Sequence, residues 1–269
     1  MITPYLQAGF GEPIGHDLLV ELRDRFGIRG IRQDLQGVHD QALGEALIQE
    51  ILDADLGVLA ILSNLTQVAW LSQGCHAEWR NERDGDQAPA DYADEARLFV
   101  AECHRWGVLP WVGAISNIDK DSLRWLELVL MTLPTSLPPF GVSVHHYAHG
   151  SRIWDPHPGF SSVEAQVWEL QRLAGGRPIF VTEMGFSTAP RNPVGKWAWL
   201  LRLLGKKEQW SDQQVAQFLH ERWGFWESYA VAACTYQLND GPNPNAADDR
   251  YGIRRLDGRW KPSAQTFPR

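Results

Sequence analysis

Apolar, β-rich runs alternate with amphipathic runs along the whole chain. Runs at 5–10, 30–35, 58–62, 75–81, 108–115, 142–147, 179–182 and 231–238 are short and dense in aliphatic and aromatic residues, the pattern of strands buried on both faces. Between them, apolar residues recur at helical spacing over 17–26, 41–54, a short 65–71, 89–106, 121–133, 162–174 and 212–229. Local chemistry marks the boundaries. Ser161 with Glu164, and Ser211 with Gln214, have the spacing of a capping box, in which side chains satisfy the first free amides of a helix. Gly107 and Gly175 stand where helices are expected to stop. On the last helix Val215, Phe218, Leu219, Trp223 and Trp226 share one stripe, a core face.

Eight strands in strict alternation with helices, with no linker or low-complexity segment, predict an α/β fold: a single (β/α)8 TIM barrel domain spanning 1–269. A doubly wound open sheet is the competing architecture. It normally carries a Gly-rich phosphate loop after its first strand, and Gly9-Phe10-Gly11-Glu12-Pro13 lacks that spacing. One stretch breaks the rhythm: 189–210 carries Trp197, Trp199 and Trp210 among five Lys and Arg residues, and it follows strand seven at the expected mouth of the barrel.

Composition narrows the partners. A chain of 269 residues that is 44% hydrophobic is ample for a large core. A net charge of -8 without any basic run argues against nucleic acid or an anionic membrane as partner. Cys75, Cys103 and Cys234 are an odd, widely spaced set and read as reduced, buried thiols. Residues 1–9 have neither a basic nor an apolar leader region, so the sequence as it stands reads as cytoplasmic, or as secreted if a signal peptide was removed. Thirteen tryptophans serve equally well as core or as flat faces for sugar rings.

In a barrel of this kind, catalytic residues sit at strand C-termini. The run Ile179-Phe180-Val181-Thr182 leads directly into Glu183 and then Gly185; a carboxylate there is either catalytic or a cap for the following turn. Strand four ends Glu78-Trp79-Arg80-Asn81-Glu82. Two carboxylates on different strand ends, about 5 to 5.5 Å apart, are what retaining glycoside hydrolysis needs, although a structural ion pair has the same signature in sequence. Strict alternation turns Asn81 away from the face of Glu82, so both reach one site only if the strand twists or bulges there. Glu78 reads as the buried partner of Arg32 or Arg80.

These motifs resemble the clan A glycoside hydrolases over the whole chain. Glu78-Trp79-Arg80-Asn81-Glu82 is similar to their strand-four motif and Val181-Thr182-Glu183-Met184-Gly185-Phe186 to their strand-seven motif; Arg32 resembles the strand-two Arg and His145-His146-Tyr147 the strand-six His-x-Tyr. The segments Tyr236-Gln237-Leu238-Asn239-Asp240-Gly241, Tyr251-Gly252-Ile253 and Lys261-Pro262-Ser263 follow the clan's usual ending. The cellulase-like family five and the xylosidase-like family thirty-nine both share these features. The resemblance implies Glu183 as nucleophile, Glu82 as acid/base, and Arg32 and Tyr147 as groups holding Glu183. It implies Asn81 as the ligand of the sugar 2-hydroxyl, with His145, Tyr236, Gln237 and Asn239 in the matching segments as further carbohydrate-binding candidates; Trp154, in the loop after strand six, is a candidate for stacking on sugar by its position.

No cofactor or metal is expected. The cluster His145, His146, His149 and His157 raises a metal reading, but metal-dependent amidohydrolase barrels carry His-x-His on strand one, and 5–10 has no His. Two departures stand out: Arg83 where the clan usually has Pro, placing a cation beside Glu82, and Tyr236-Gln237 where a Trp usually floors the first subsite. Short connections favour an open cleft and endo action on a β-linked oligo- or polysaccharide. The alternative is a catalytically inactive barrel that binds carbohydrate or a protein partner.

Overall fold

In the computed structural model, which describes residues 2–147, 156–185, 203, 210–240, 251–255 and 257–268 and only the backbone at 8–10, eight parallel strands close into a barrel in sequence order. They are β1 (Thr3–Phe10), β2 (Gly30–Asp34), β3 (Gly57–Leu62), β4 (His76–Trp79), β5 (Leu109–Ile115), β6 (Gly141–Tyr147), β7 (Ile179–Gly185) and β8 (Ala232–Thr235). The described helices are α1 (His16–Phe26), α2 (Gln41–Asp53), α3 (Pro89–Trp106), α4 (Lys120–Thr132), α5 (Val163–Ala174) and α6 (Asp212–Trp226). This is the (β/α)8 TIM barrel the pattern predicts.

Helix ends follow the local chemistry closely. Gly107 and Gly175 take the left-handed conformation and close α3 and α5. Ser211 and Gln214 form a complete capping box on α6. The other expected box is displaced: Ser162, not Ser161, caps α5 by accepting from the Ala165 amide. The short 65–71 segment forms a 3-10 helix (Leu65–Trp70) whose box pairs Asn64 with Gln67.

Two apolar layers hold the barrel. A shell of aliphatic and aromatic side chains lies between strands and helices, and it includes the α6 stripe. Inside the barrel, Tyr5, Leu59, Trp111, Phe180, Ala232 and Cys234 form a separate plug. Glycines make the room for its rings: a Cβ on Gly30 would lie 2.2 Å from the Tyr5 ring, and one on Gly141 2.1 Å from the Trp111 ring. The Trp111 indole donates to His76 Nδ1 at 2.8 Å, and burial pushes the His76 pKa down to about 4, so the plug carries no charge there at neutral pH.

Above the plug the interior becomes polar, with Gln7, Arg32, Glu78, Ser143, His145 and Glu183 all buried. Two irregularities aim the functional side chains. On β7, Val144 pairs with Val181 but the next residue, His145, pairs with Glu183, so Thr182 is one residue extra. Phe180 points into the barrel and Val181 outward; plain alternation would then turn Thr182 in and Glu183 out. The slip reverses this, bringing Glu183 inside and sending Met184 to the outer shell.

On β4 the ladder stops at Trp79, and both Arg80 (φ 58°) and Glu82 (φ 50°) take the left-handed conformation. For residues bearing side chains this costs about 1–3 kcal/mol each, so neighbouring structure must enforce it. The Arg80 amide donates to the Leu62 carbonyl at 2.8 Å and the Glu82 amide to the Ala114 carbonyl at 3.0 Å. Tyr92 donates its hydroxyl proton to the Trp79 carbonyl and accepts from the Gly113 amide, both at 3.0 Å, tying β4 to β5.

Candidate active site

At the C-terminal ends of the strands a cleft of about 440 Å³ opens between Asn81, Glu82, Ser116, Asn117, Tyr147, Glu183, Tyr236 and Tyr251. The backbone distortion after β4 lets adjacent residues Asn81 and Glu82 both face it, which meets the geometric demand set by the sequence. Glu183 is buried at the bottom and Glu82 is exposed.

Arg32 organises the floor. Nη1 donates to Glu183 Oε1 at 2.5 Å and to Gln7 Oε1 at 2.7 Å; Nη2 donates to Glu78 Oε1 at 2.5 Å and to Asn81 Oδ1 at 2.9 Å. One guanidinium therefore faces two buried carboxylates. Glu78 is the ion-pair partner of Arg32, while Arg80 pairs with Glu95 at 2.7 Å. Because Arg32 only donates, it fixes the carbonyl end of the Asn81 amide toward itself and leaves the amide donor for the cleft.

The second oxygen of Glu183 accepts the Tyr147 hydroxyl. His145 lies between the acids: Nδ1 is 2.8 Å from Glu82 Oε1 and Nε2 is 3.6 Å from Glu183 Oε1. Burial opposes the Glu183 carboxylate, but His145, Arg32 and the Tyr147 hydrogen bond outweigh it and hold its pKa below the ordinary range. Burial likewise opposes a charged His145, yet the Glu183 charge and the Glu82 hydrogen bond raise its pKa above 6.5. Burial and then the Glu183 charge push the Tyr147 phenol well up, so it stays a donor.

Carboxylate oxygens of Glu82 and Glu183 and a ring nitrogen of His145 all lie within 4.8 Å of one another. One oxygen of each acid within 4.8 Å of the other is compatible with the close pair that retaining chemistry uses. The same three groups meet the spacing of a metal site. Arg32 and Tyr147 already occupy both oxygens of Glu183, however, so a cation there would sit beside a guanidinium.

No protein-family model matches the chain, and no curated protein matches it. Solved structures do. A family 39 glycoside hydrolase from Bacteroides cellulosilyticus superposes on 98% of the chain with a TM-score of 0.71 at 13% identity; the chain spans 62% of that protein's length. A fungal β-1,4-galactanase matches over 93% of this chain and 90% of its own (TM-score 0.65, 13% identity). A family 17 β-1,3-glucanosyltransferase from Rhizomucor miehei matches over 97% and 96% (TM-score 0.64, 12% identity). The chain shares the (β/α)8 fold of these three proteins.

Within that fold the residues named from sequence separate clearly. Arg32, Asn81, Glu82, His145, Tyr147, Glu183 and Tyr236 gather at the cleft or directly beneath it. Gln237 meets the 251–255 segment through its carbonyl, which accepts from the Ile253 amide, and Asn239 is exposed; neither lines the cleft. Trp154 and His149 lie outside the described residues. Arg83 pairs with Asp86 at 3.2 Å and donates to Gln87, so its charge is spent beside Glu82 rather than on it. The histidine cluster divides, because His146 points to the outer shell, where it accepts from Trp226 Nε1 at 3.0 Å.

Sequence reasoning missed Gln7, Ser116, Asn117 and Tyr251. Ser116 and Asn117 follow β5 directly, a position that could have flagged them. Tyr251 had no such signal: it comes from far along the chain and stands against Tyr147 and Tyr236 with ring centroids 5.5 and 5.6 Å away. Its approach depends on Gly185, where a Cβ would lie 2.8 Å from the Tyr251 ring.

Proposed function

We propose that the protein is a retaining β-glycoside hydrolase acting on a β-linked oligo- or polysaccharide through a covalent glycosyl-enzyme. The observation that carries this reading is the close pair Glu82 and Glu183, one oxygen of each within 4.8 Å of the other, with Glu183 held by a buried Arg32 and by Tyr147. The difference in surroundings supports the following roles. Glu183 is charged at rest and attacks the anomeric carbon; the exposed Glu82 gives its proton to the leaving oxygen as that bond breaks. In the second step Glu82 takes a proton from water, the water oxygen bonds to the anomeric carbon, and Glu183 leaves as carboxylate. The Asn81 amide donor left for the cleft supports a role in binding the sugar 2-hydroxyl. The short connections read from the sequence favour endo action, and residues 1–269 are proposed to act as one catalytic domain.

The test is intact mass spectrometry after incubation with 2-deoxy-2-fluoro β-glycosides of gluco, xylo and galacto configuration carrying dinitrophenyl leaving groups, followed by peptide mapping. One added sugar on the peptide holding Glu183 is the expected result. No label from any of them, with no hydrolysis of the matching aryl glycosides or of longer β-glycans, would overturn the assignment in favour of a binding protein.

A further inference from the structure

Among the described residues, four that bear side chains take the left-handed backbone conformation, and three of them meet beside Glu82: Arg80 (φ 58°), Glu82 itself (φ 50°) and Ala114 (φ 44°). Strain of this kind persists only where neighbouring contacts enforce it. Those contacts run between the chain after β4 and the end of β5. The β5 ladder is irregular at Ala114, whose amide donates to the buried Ser143 hydroxyl at 2.9 Å and whose carbonyl accepts from the Glu82 amide at 3.0 Å. Two residues further on the link is made again, this time by a side chain: Asp84 Oδ1 accepts from the Ser116 amide at 3.0 Å and Oδ2 from the Ser116 hydroxyl at 2.9 Å. Residues 82 and 84 are thus pinned to 114 and 116, beyond the last β4–β5 ladder pair, Glu78 with Trp111.

The carboxylate of Glu82 is only lightly held: its side chain is 42% exposed and meets His145 Nδ1 at 2.8 Å. The next residue, Arg83, has no ring to fix its φ as a proline would. The aim of Glu82 therefore depends on the turn that carries it. Resting on the proposed glycosidase reading, we propose that Asp84 is a positioning residue for Glu82: its two bonds to Ser116 keep the left-handed turn closed and hold the acid/base carboxyl within reach of the oxygen that departs. A general acid must lie at hydrogen-bond distance from the atom it protonates, so a small swing of this turn is enough to idle it. Asp84 touches no reacting atom. Without it the turn relaxes toward ordinary φ values, while Glu183, on β7, keeps Arg32 and Tyr147. The loss then falls on proton transfer and spares nucleophilic attack.

The experiment compares kcat/KM for phenyl and dinitrophenyl β-glycosides of glucose, xylose and galactose and of their β-1,4-linked disaccharides. Phenolate needs a proton in order to leave and dinitrophenolate does not, so the ratio of the two rates reads Glu82 apart from Glu183. In Asp84→Ala the phenyl glycoside should lose at least about tenfold relative to the dinitrophenyl one, a part of the roughly 10²–10⁴-fold that a placed general acid contributes. Saturated turnover of the dinitrophenyl glycoside should fall as well, since Glu82 must then draw a proton from water; azide, which needs no base, should restore it. In Asp84→Asn the isosteric amide still accepts from the Ser116 amide and can donate to its hydroxyl oxygen, so the ratio should recover. Partial unfolding of a variant lowers both rates equally and leaves the ratio untouched. An unchanged ratio in Asp84→Ala, or no recovery in Asp84→Asn, overturns this proposal and leaves the glycosidase reading intact. Hydrolysis of none of these glycosides by the unmodified protein overturns both.

Discussion

Arg32 is the residue on which most of the site's order depends, since it meets Glu78, Glu183, Gln7 and Asn81 at once. Arg32→Met leaves Glu78 buried without a cation and Glu183 with His145 alone, and should lower unfolding free energy by about 3–5 kcal/mol, measurable by urea denaturation. The two acids are separable by stereochemistry. Glu183→Ala should lose at least about 10³-fold in turnover, and added azide should then enter once, from the emptied face, giving an α-glycosyl azide. Glu82→Ala still forms the glycosyl-enzyme from a dinitrophenyl glycoside, so azide attacks second and the product is the β-anomer; the opposite pairing of products would reverse the roles. His145→Gln removes a cation that helps keep Glu183 ionised, so Glu183 should take up a proton more readily and the acid limb of kcat/KM should move to higher pH. At this scale the sequence was informative where a residue type is costly in its place: Arg and Glu inside strands, or Glu after a buried run. It placed Tyr251 only in a segment resembling the clan's ending and not at the site, because its relevance arises from a long-range packing contact.

Element boundaries were legible where backbone chemistry is local, and the left-handed glycines end α3 and α5 where expected. The strand ends were not. Apolar pattern continued β4 and β8 past the points where pairing stops, at Trp79 and Thr235, because the chain beyond stays partly buried while leaving the ladder. The end of β7 offers a direct test. In Gly185→Ala the added carbon would lie 2.8 Å from the Tyr251 ring and 2.9 Å from the Tyr236 carbonyl oxygen. Since backbone cannot yield as a side chain does, the substitution should cost about 1–3 kcal/mol and lower kcat/KM while circular dichroism still reports a folded barrel. On the outer layer, Ser211→Ala removes one capping box and should cost about 1 kcal/mol, read as a small drop in Tm without change in kcat.

Over the whole molecule the site's charges set a pH window for stability. Glu183 has a folded pKa below its ordinary 4.5, so its contribution is present above that value and lost as pH falls through the depressed one. His145 has a folded pKa above its ordinary 6.5, so its contribution is complete below that value and lost as pH rises through the raised one. Thermal melts should therefore peak between about pH 4.5 and 6.5, and His145→Gln should flatten the alkaline decline. The barrel itself was readable because strand and helix periods alternate from β1 to β8, whereas the phase of Glu183 was hidden: a one-residue slip changes no composition and no period. That slip in β7 has a genetic corollary. It is written in the number of residues between Phe180 and Glu183 rather than in the identity of any of them. Codon changes across the strand can accumulate while Glu183 keeps its aim, whereas loss or gain of a single codon there would turn it out of the cleft at one stroke.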